Sequence, residues 1–290
     1  MRKAAGSSGE AAGWRRALSP LLSVVVVVGL LGAVNLLPPD TALAEVERTG
    51  VLRACVPQDY PPLVQAGADA PGFEVELLQR LAQEMGLRLA LNVNPTMGRD
   101  INPRNWRLTR AQCQIIAGGV LASSTTRSYL DTTRPHLEVG WAVIDPGGGP
   151  QTLEGADVAF YAGFSGFDRI ALSRYLRAAG AKVSVINTRP AFRAGLADGN
   201  FDLGVTESLG ARQIAGEADW SVQWLSDSLG HVPVAFGLWK GDLTLKRRVE
   251  TLLSRMQAEG VVAELLTKYG LDEPIVGVFD ATPTAEEVEL

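Results

Sequence analysis

Apolar and polar positions follow two rhythms along this chain, and the rhythms take turns. Short apolar runs at Leu52 to Val56, Leu89 to Val93, Ile115-Ile116 and Val139 to Ile144 predict strands. Between the first two, Phe73, Leu77, Leu81 and Met85 recur every fourth residue with Leu78 and Ala82 beside them. That spacing predicts one apolar helix face, opened at Gly72 and stopped at Gly86. Pro57 and Pro61-Pro62 end the first strand, and residues 94–110, rich in Asn, Pro and Arg, read as an irregular loop. A second series begins after Gly147-Gly148-Gly149-Pro150. It predicts strands at Ala156 to Tyr161, Val183 to Ile186, Leu203 to Thr206 and Val232 to Trp239. Helices are predicted over Phe167 to Leu176 and Pro190 to Leu196. After the turn Lys240-Gly241-Asp242, Leu245, Val249, Leu252, Leu253 and Met256 share a helix face, and a last helix runs from Val261 to Tyr269. Strand and helix in alternation predict an α/β fold with largely parallel sheets. Two such series predict two lobes, joined near residues 139–145 and 229–237.

The ends of the chain stand outside this pattern. Arg2, Lys3, Arg15 and Arg16 precede an apolar run from Leu18 to Leu37, which Pro38-Pro39 breaks before Ala42-Leu43-Ala44. Basic region, apolar run and an A-x-A site read as a secretory signal over residues 1–44, cleaved after Ala44. An uncleaved membrane anchor is the alternative, and Arg15-Arg16 leaves a twin-arginine address open. At the other end, residues 271–290 form an acidic, proline-marked tail that is expected to fray.

Charge and composition narrow the classes. The formal net charge is −5, and loss of a basic leader makes the remainder more acidic still, which argues against a nucleic-acid partner. The two cysteines, Cys55 and Cys113, both follow the expected cleavage point, and in an oxidising compartment an even pair suggests one disulfide. Two separately buried thiols are the alternative. The two histidines, His136 and His231, have no ligand spacing to either cysteine, so no metal site and no cofactor are expected.

Five stretches in order resemble the family 3 extracellular solute-binding proteins, over roughly residues 48 to 270. They are Gly50 to Val56 leading into Asp59-Tyr60-Pro61-Pro62; Gly72-Phe73-Glu74-Val75-Glu76-Leu77; Asp131 to His136; Gly199 to Glu207; and Glu259-Gly260 to Tyr269-Gly270. The resemblance implies a two-lobed periplasmic binding protein of type II, a Venus flytrap with a two-strand hinge. One lobe would take residues 46–139 plus 236–270 and the other 140–235. The implied function is capture of an amino acid or similar small polar solute for the permease of an ABC transporter, outside the cytoplasm. Lobe closure would be driven by the ligand's better fit to the closed form.

A zwitterion taken out of water needs an answer to both of its charges. In the family an arginine after a Ser/Thr-rich turn takes the carboxylate. Here Ser123-Ser124-Thr125-Thr126-Arg127 offers Arg127, with Ser123 and Ser124 beside it. Counted back from Asp131 without a gap, however, Thr126 falls where the family has its arginine, so a solvated Arg127 remains open. Glu207, at the end of an apolar strand, stands where the family has an ammonium-binding aspartate; a surface carboxylate is the alternative. Ser165 resembles the family's Gly-Thr/Ser turn at a helix start, or is a plain N-cap. Tyr60 could stack on the ligand or simply serve the turn, and Trp141 reads as core.

Enzyme signatures are absent: there is no G-x-S-x-G, H-E-x-x-H or P-loop. Glu74 and Glu76, two apart at a helix start, are expected to diverge into solvent. Two rivals share the scaffold. Cyclohexadienyl dehydratases are enzymes of this wider family, and Glu207 could serve as their acid. Accessory proteins of periplasmic quinoprotein dehydrogenases resemble the chain in the placing of both cysteines and in Thr132 to Pro135.

Overall fold

The structure, a computed structural model, describes residues 24–29, 40–65, 70–97, 102–147, 152–162, 167–216, 218, 220–272, 275 and 278–279. By its contacts the chain divides after Asp40, and the fold described below belongs to the part from Thr41 onward. Of the expected leader, residues 24–29 are an exposed helical stretch, and no described helix is long and apolar enough to cross a membrane. The part from Thr41 opens with α1 (Ala42–Thr49), ended by Gly50 in a left-handed conformation. The A-x-A site thus lies in the first turn of a helix whose Val46 is fully buried, and Leu43 N–H donates to Thr244 Oγ1 at 3.3 Å.

The first sheet contains β1 (Val51–Val56), β2 (Arg88–Val93), β3 (Ile115–Ile116), β4 (Leu130–Thr132) and β12 (Gly237–Trp239), in the order β2-β1-β3-β12-β4. Helix α2 (Phe73–Glu84) lies against it and buries Phe73, Leu77, Leu78 and Leu81, the face that the four-residue spacing predicts. Helix α3 (Ser124–Tyr129) is a short turn leading into β4. The second sheet contains β6 (Trp141–Asp145), β7 (Asp157–Tyr161), β8 (Lys182–Ile186), β9 (Leu203–Glu207) and β10 (Ser221–Trp224), in the order β10-β6-β9-β7-β8. Its helices are α4 (Arg169–Ala178), α5 (Arg189–Ala197) and α6 (Ser208–Gly216). The chain passes between the sheets through β5 (Leu137–Val139) and β11 (Val232–Val234), an antiparallel pair that matches Val139 with Val232. It then closes with α7 (Leu243–Ala258) and α8 (Val261–Lys268).

Two expectations change here. The apolar runs 139–144 and 232–239 are each two strands, broken at Gly140 and at Ala235-Phe236, because each run crosses from one sheet to the other. The sheets are also mixed rather than largely parallel. In each, the strand arriving from the other half (β12 in the first, β6 in the second) is antiparallel to both its neighbours. Trp141 is core, as expected, packed against Phe160 and Phe167. Cys55 and Cys113 are bonded to each other and tie β1 to the segment entering β3.

Candidate functional site

In open α/β sheets the carboxyl ends of parallel strands form the natural crevice for a ligand, because the connecting loops and helix starts converge there. Here the two sheets point such ends at each other. Tyr60 follows β1, Tyr161 ends β7, Arg189 opens the helix after β8, and Glu207 ends β9. All four line one cavity of about 440 Å³, with Pro57, Pro95 and Met97 on the first half and Gly210, Gln213 and Ile214 of α6 on the second.

Glu207 is the most constrained of these groups. It is 2% exposed, and its carboxylate accepts from Leu209 N–H at 2.8 Å and Gly210 N–H at 2.7 Å, so it caps α6 from the strand that precedes it. The Tyr60 hydroxyl donates to the same carboxylate from the opposite half. Burial pushes the Glu207 carboxyl up to about 7, against the lowering pull of those hydrogen bonds and of Arg189. Burial and the nearby Glu207 charge together raise the Tyr60 hydroxyl well above its usual range. Arg189 is half-buried, and its Nη1 donates to Gln213 Oε1 at 3.0 Å.

The loop that carries Tyr60 rests on a second buried carboxylate. Glu74 is fully buried rather than solvated, a correction to the reading of Glu74 and Glu76 as a surface pair. It accepts from Gly118 N–H and from Gly119 N–H at 2.9 Å, and lies 2.6 Å from His136 Nε2. These partners are far from Glu74 in sequence, which is why local spacing did not reveal them. Both glycines have positive φ, and side chains there would collide with Pro57 and with the Tyr60 ring, so glycine is required. Glu76 does diverge from Glu74, as expected, but it accepts from Lys268 Nζ at 2.6 Å and from the Tyr269 hydroxyl at 2.8 Å.

The structure separates the other candidates. Arg127 is exposed on α3 and lines neither of the two cavities between the halves, whereas Thr126 is 3% exposed. The ungapped count from Asp131 accords with this. Ser123 is the N-cap of α3, accepting from Thr126 N–H at 3.2 Å, and that cap turns Thr126 inward with Arg127 one residue further round the helix. Ser124 is exposed. Ser165 lies outside the described residues, and the N-cap of α4 is Asp168, which accepts from Ile170 and Ala171 N–H at 2.9 Å each. Of the sequence candidates, Tyr60 and Glu207 line one cavity, and Arg189, Tyr161 and Gln213 join them there. The placing of Tyr161 and Arg189 at strand ends is the sequence signal that could have found them.

The second cavity, about 740 Å³, lies between the halves and shares Gln213 with the first. Its Lys268 and Tyr269 are already committed to Glu76, so the smaller cavity, with its converging strand ends, is the better site. Among the described residues, no group of three or more His, Cys, Asp or Glu is placed to hold a metal ion.

Two mixed sheets joined by a two-strand crossing, with a cavity between their strand ends, match a known design. The sequence profile of the bacterial extracellular solute-binding proteins, family 3, fits residues 52–272. The chain belongs to that family. The L-cystine-binding protein TcyJ of Escherichia coli (strain K12) is 22% identical over 270 residues, which cover 88% of this chain and 95% of TcyJ. Among solved structures, an ancestral cationic amino acid solute-binding protein, AncCDT-1, superposes with a TM-score of 0.66 at 23% identity, over 78% of this chain and 98% of that one. The substrate-binding protein of an ABC uptake transporter from Streptococcus pneumoniae, with bound histidine, gives a TM-score of 0.61 at 16% identity, over 82% and 98%. At these identities the structures establish the fold, a type II periplasmic binding protein of two lobes.

Proposed function

We propose that this family member captures an amino acid or a closely similar small polar solute outside the cytoplasm and presents it to the permease of an ABC transporter. The observation that carries the reading is the cavity between the strand ends, which sets a carboxylate (Glu207) and a guanidinium (Arg189) in one enclosure with two tyrosines. A ligand's ammonium and carboxylate each find an opposite charge there, and the guanidinium offers paired donors to the carboxylate. Tyr60 reaches Glu207 from the other lobe, so a ligand that engages both stabilises the closed arrangement by its differential affinity. TcyJ, named for L-cystine, and the S. pneumoniae protein, solved with bound histidine, make those two amino acids sensible first ligands.

Calorimetry tests the reading. One amino acid of a panel should bind the wild-type chain. Arg189→Ala should weaken that binding roughly tenfold to a hundredfold, the worth of a hydrogen bond to a charged group. Arg127→Ala should leave it unchanged. Failure of every amino acid to bind, or loss of binding in Arg127→Ala alone, would overturn the assignment.

One observation favours a second reading. A carboxyl held up to about 7 in a closed cleft keeps its proton close to neutrality, as a general acid must. AncCDT-1 is described as an amino-acid-binding precursor of cyclohexadienyl dehydratase. Release of phenylpyruvate from prephenate, lost in Glu207→Gln, would establish that activity in place of simple capture.

A further inference from the structure

Beyond α8 the described residues pass from the lobe where α8 lies to the other. Tyr269 is fixed to the first lobe, its hydroxyl donating to Glu76 and accepting from Gly72 N–H at 3.2 Å. Leu271 is buried there, its N–H donating to Leu266 O at 2.8 Å, and Asp272 accepts from Thr267 Oγ1 at 2.8 Å. A few residues later the partners belong to the second lobe. Ile275 packs on the cluster of Ala142, Ile144, Ala211 and Ile214. Val278 makes a parallel bridge to Trp224, and Phe279 N–H donates to Trp224 O at 2.8 Å, which extends the outer edge of β10.

Trp224 is also where the two hinge segments meet. Its ring packs on His231, centroids 4.0 Å apart, just before β11. A side chain at Gly140, between β5 and β6, would come within 2.9 Å of the Trp224 ring and 2.8 Å of His231. Both crossings and the C-terminal segment therefore converge on one residue at the edge of the second sheet.

We infer that Leu271, fixed on the first lobe, and Ile275, Val278 and Phe279, held on the second with Trp224 beside the hinge, make a third tie between the lobes that holds the cleft towards its closed arrangement before any ligand arrives. For the lobes to part widely, Phe279 must leave Trp224 or the hinge must turn beneath it. The tether stabilises closure by its own backbone bond and by the apolar contacts of Ile275 and Phe279. This rests on the two-lobed frame and not on the choice of ligand, so it stands or falls separately from the amino-acid reading.

Small-angle scattering and amide exchange on the ligand-free protein test it. A chain ending at Gly270 should show a larger radius of gyration than the full chain. Its β5 and β11 amides should exchange about tenfold faster, equivalent to ~1.4 kcal/mol of lost closing free energy. Phe279→Pro, which keeps the chain length but removes the N–H given to Trp224, should shift exchange at β5 and β11 in the same direction while β7 and β9 stay unchanged. Equal radii and equal hinge exchange in the shortened and full chains would overturn the proposal. If the shortened chain fails to fold, Phe279→Pro decides: a local rise at the hinge supports the tether, and no rise, or a uniform one, refutes it.

Discussion

Replacing Glu207 by glutamine removes one titration from the floor of the cleft, and its effect on stability can be worked out. In the unfolded chain this carboxyl titrates at its ordinary 4.5, and in the folded chain at about 7. A raised folded value means that the native state holds the proton more tightly, so the contribution is fully present below about 4.5 and is lost as pH rises through 7. The gap of about 2.5 units corresponds to about 3 kcal/mol, and the group is too buried for solvent screening to erode it. Urea unfolding at half-unit steps from pH 5 to 8, followed by tryptophan fluorescence, measures this directly. Stability of the wild type minus that of Glu207→Gln should fall by about 2.5 kcal/mol between pH 5 and 8, the part of the total that this window samples. Glu76 does not intrude: burial raises it, but its bonds from Lys268 and Tyr269 win and hold it below the usual range. A flat difference would show that Glu207 is ionised throughout, its bonds from Leu209, Gly210 and Tyr60 outweighing desolvation, and would remove the case for an acid in the cleft.

Three further outcomes are expected. Glu74→Ala leaves His136 Nε2 and the Gly118 and Gly119 N–H groups without their buried partner, and should cost about 3–5 kcal/mol in denaturant unfolding. Replacing both Cys55 and Cys113 by alanine releases a crosslink spanning 58 positions, which the chain-entropy account values at about 4 kcal/mol; an unchanged guanidinium midpoint would contradict it. Asp168→Ala removes a two-bond N-cap from α4 and should cost about 1 kcal/mol, read in the same assay.

What could be read from the sequence, and what could not, divides by range. Helices α2 and α7 carry large apolar residues at four-residue spacing, and their buried faces are the expected ones. Helix α6 gives no such signal, with Gly210 and Gly216 inside Ser208–Gly216, and it owes its start to the Glu207 carboxylate. The breaks at Gly140 and Ala235-Phe236 lie inside continuous apolar runs, because a chain crossing between two cores stays apolar throughout. Arg127 shows the limit for a site: the motif leaves a single-residue choice of register open, and which residue is buried depends on a six-residue helix capped at Ser123, which turns Thr126 inward. Glu74 shows the same limit for a charge, since its partners lie 44, 45 and 62 positions away.

The placing of β12 between β3 and β4 bears on the order of assembly. All five strands of the second sheet come from the continuous stretch 141–224, so that half can complete its sheet without waiting for residues 237–239. The first sheet keeps a vacant slot until residues 237–239 emerge, and its two flanking strands must wait with unpaired edges. The bond between Cys55 and Cys113 lies wholly upstream of that slot. It can therefore brace the waiting half as soon as both thiols meet an oxidant, well before the last strand arrives to seal it.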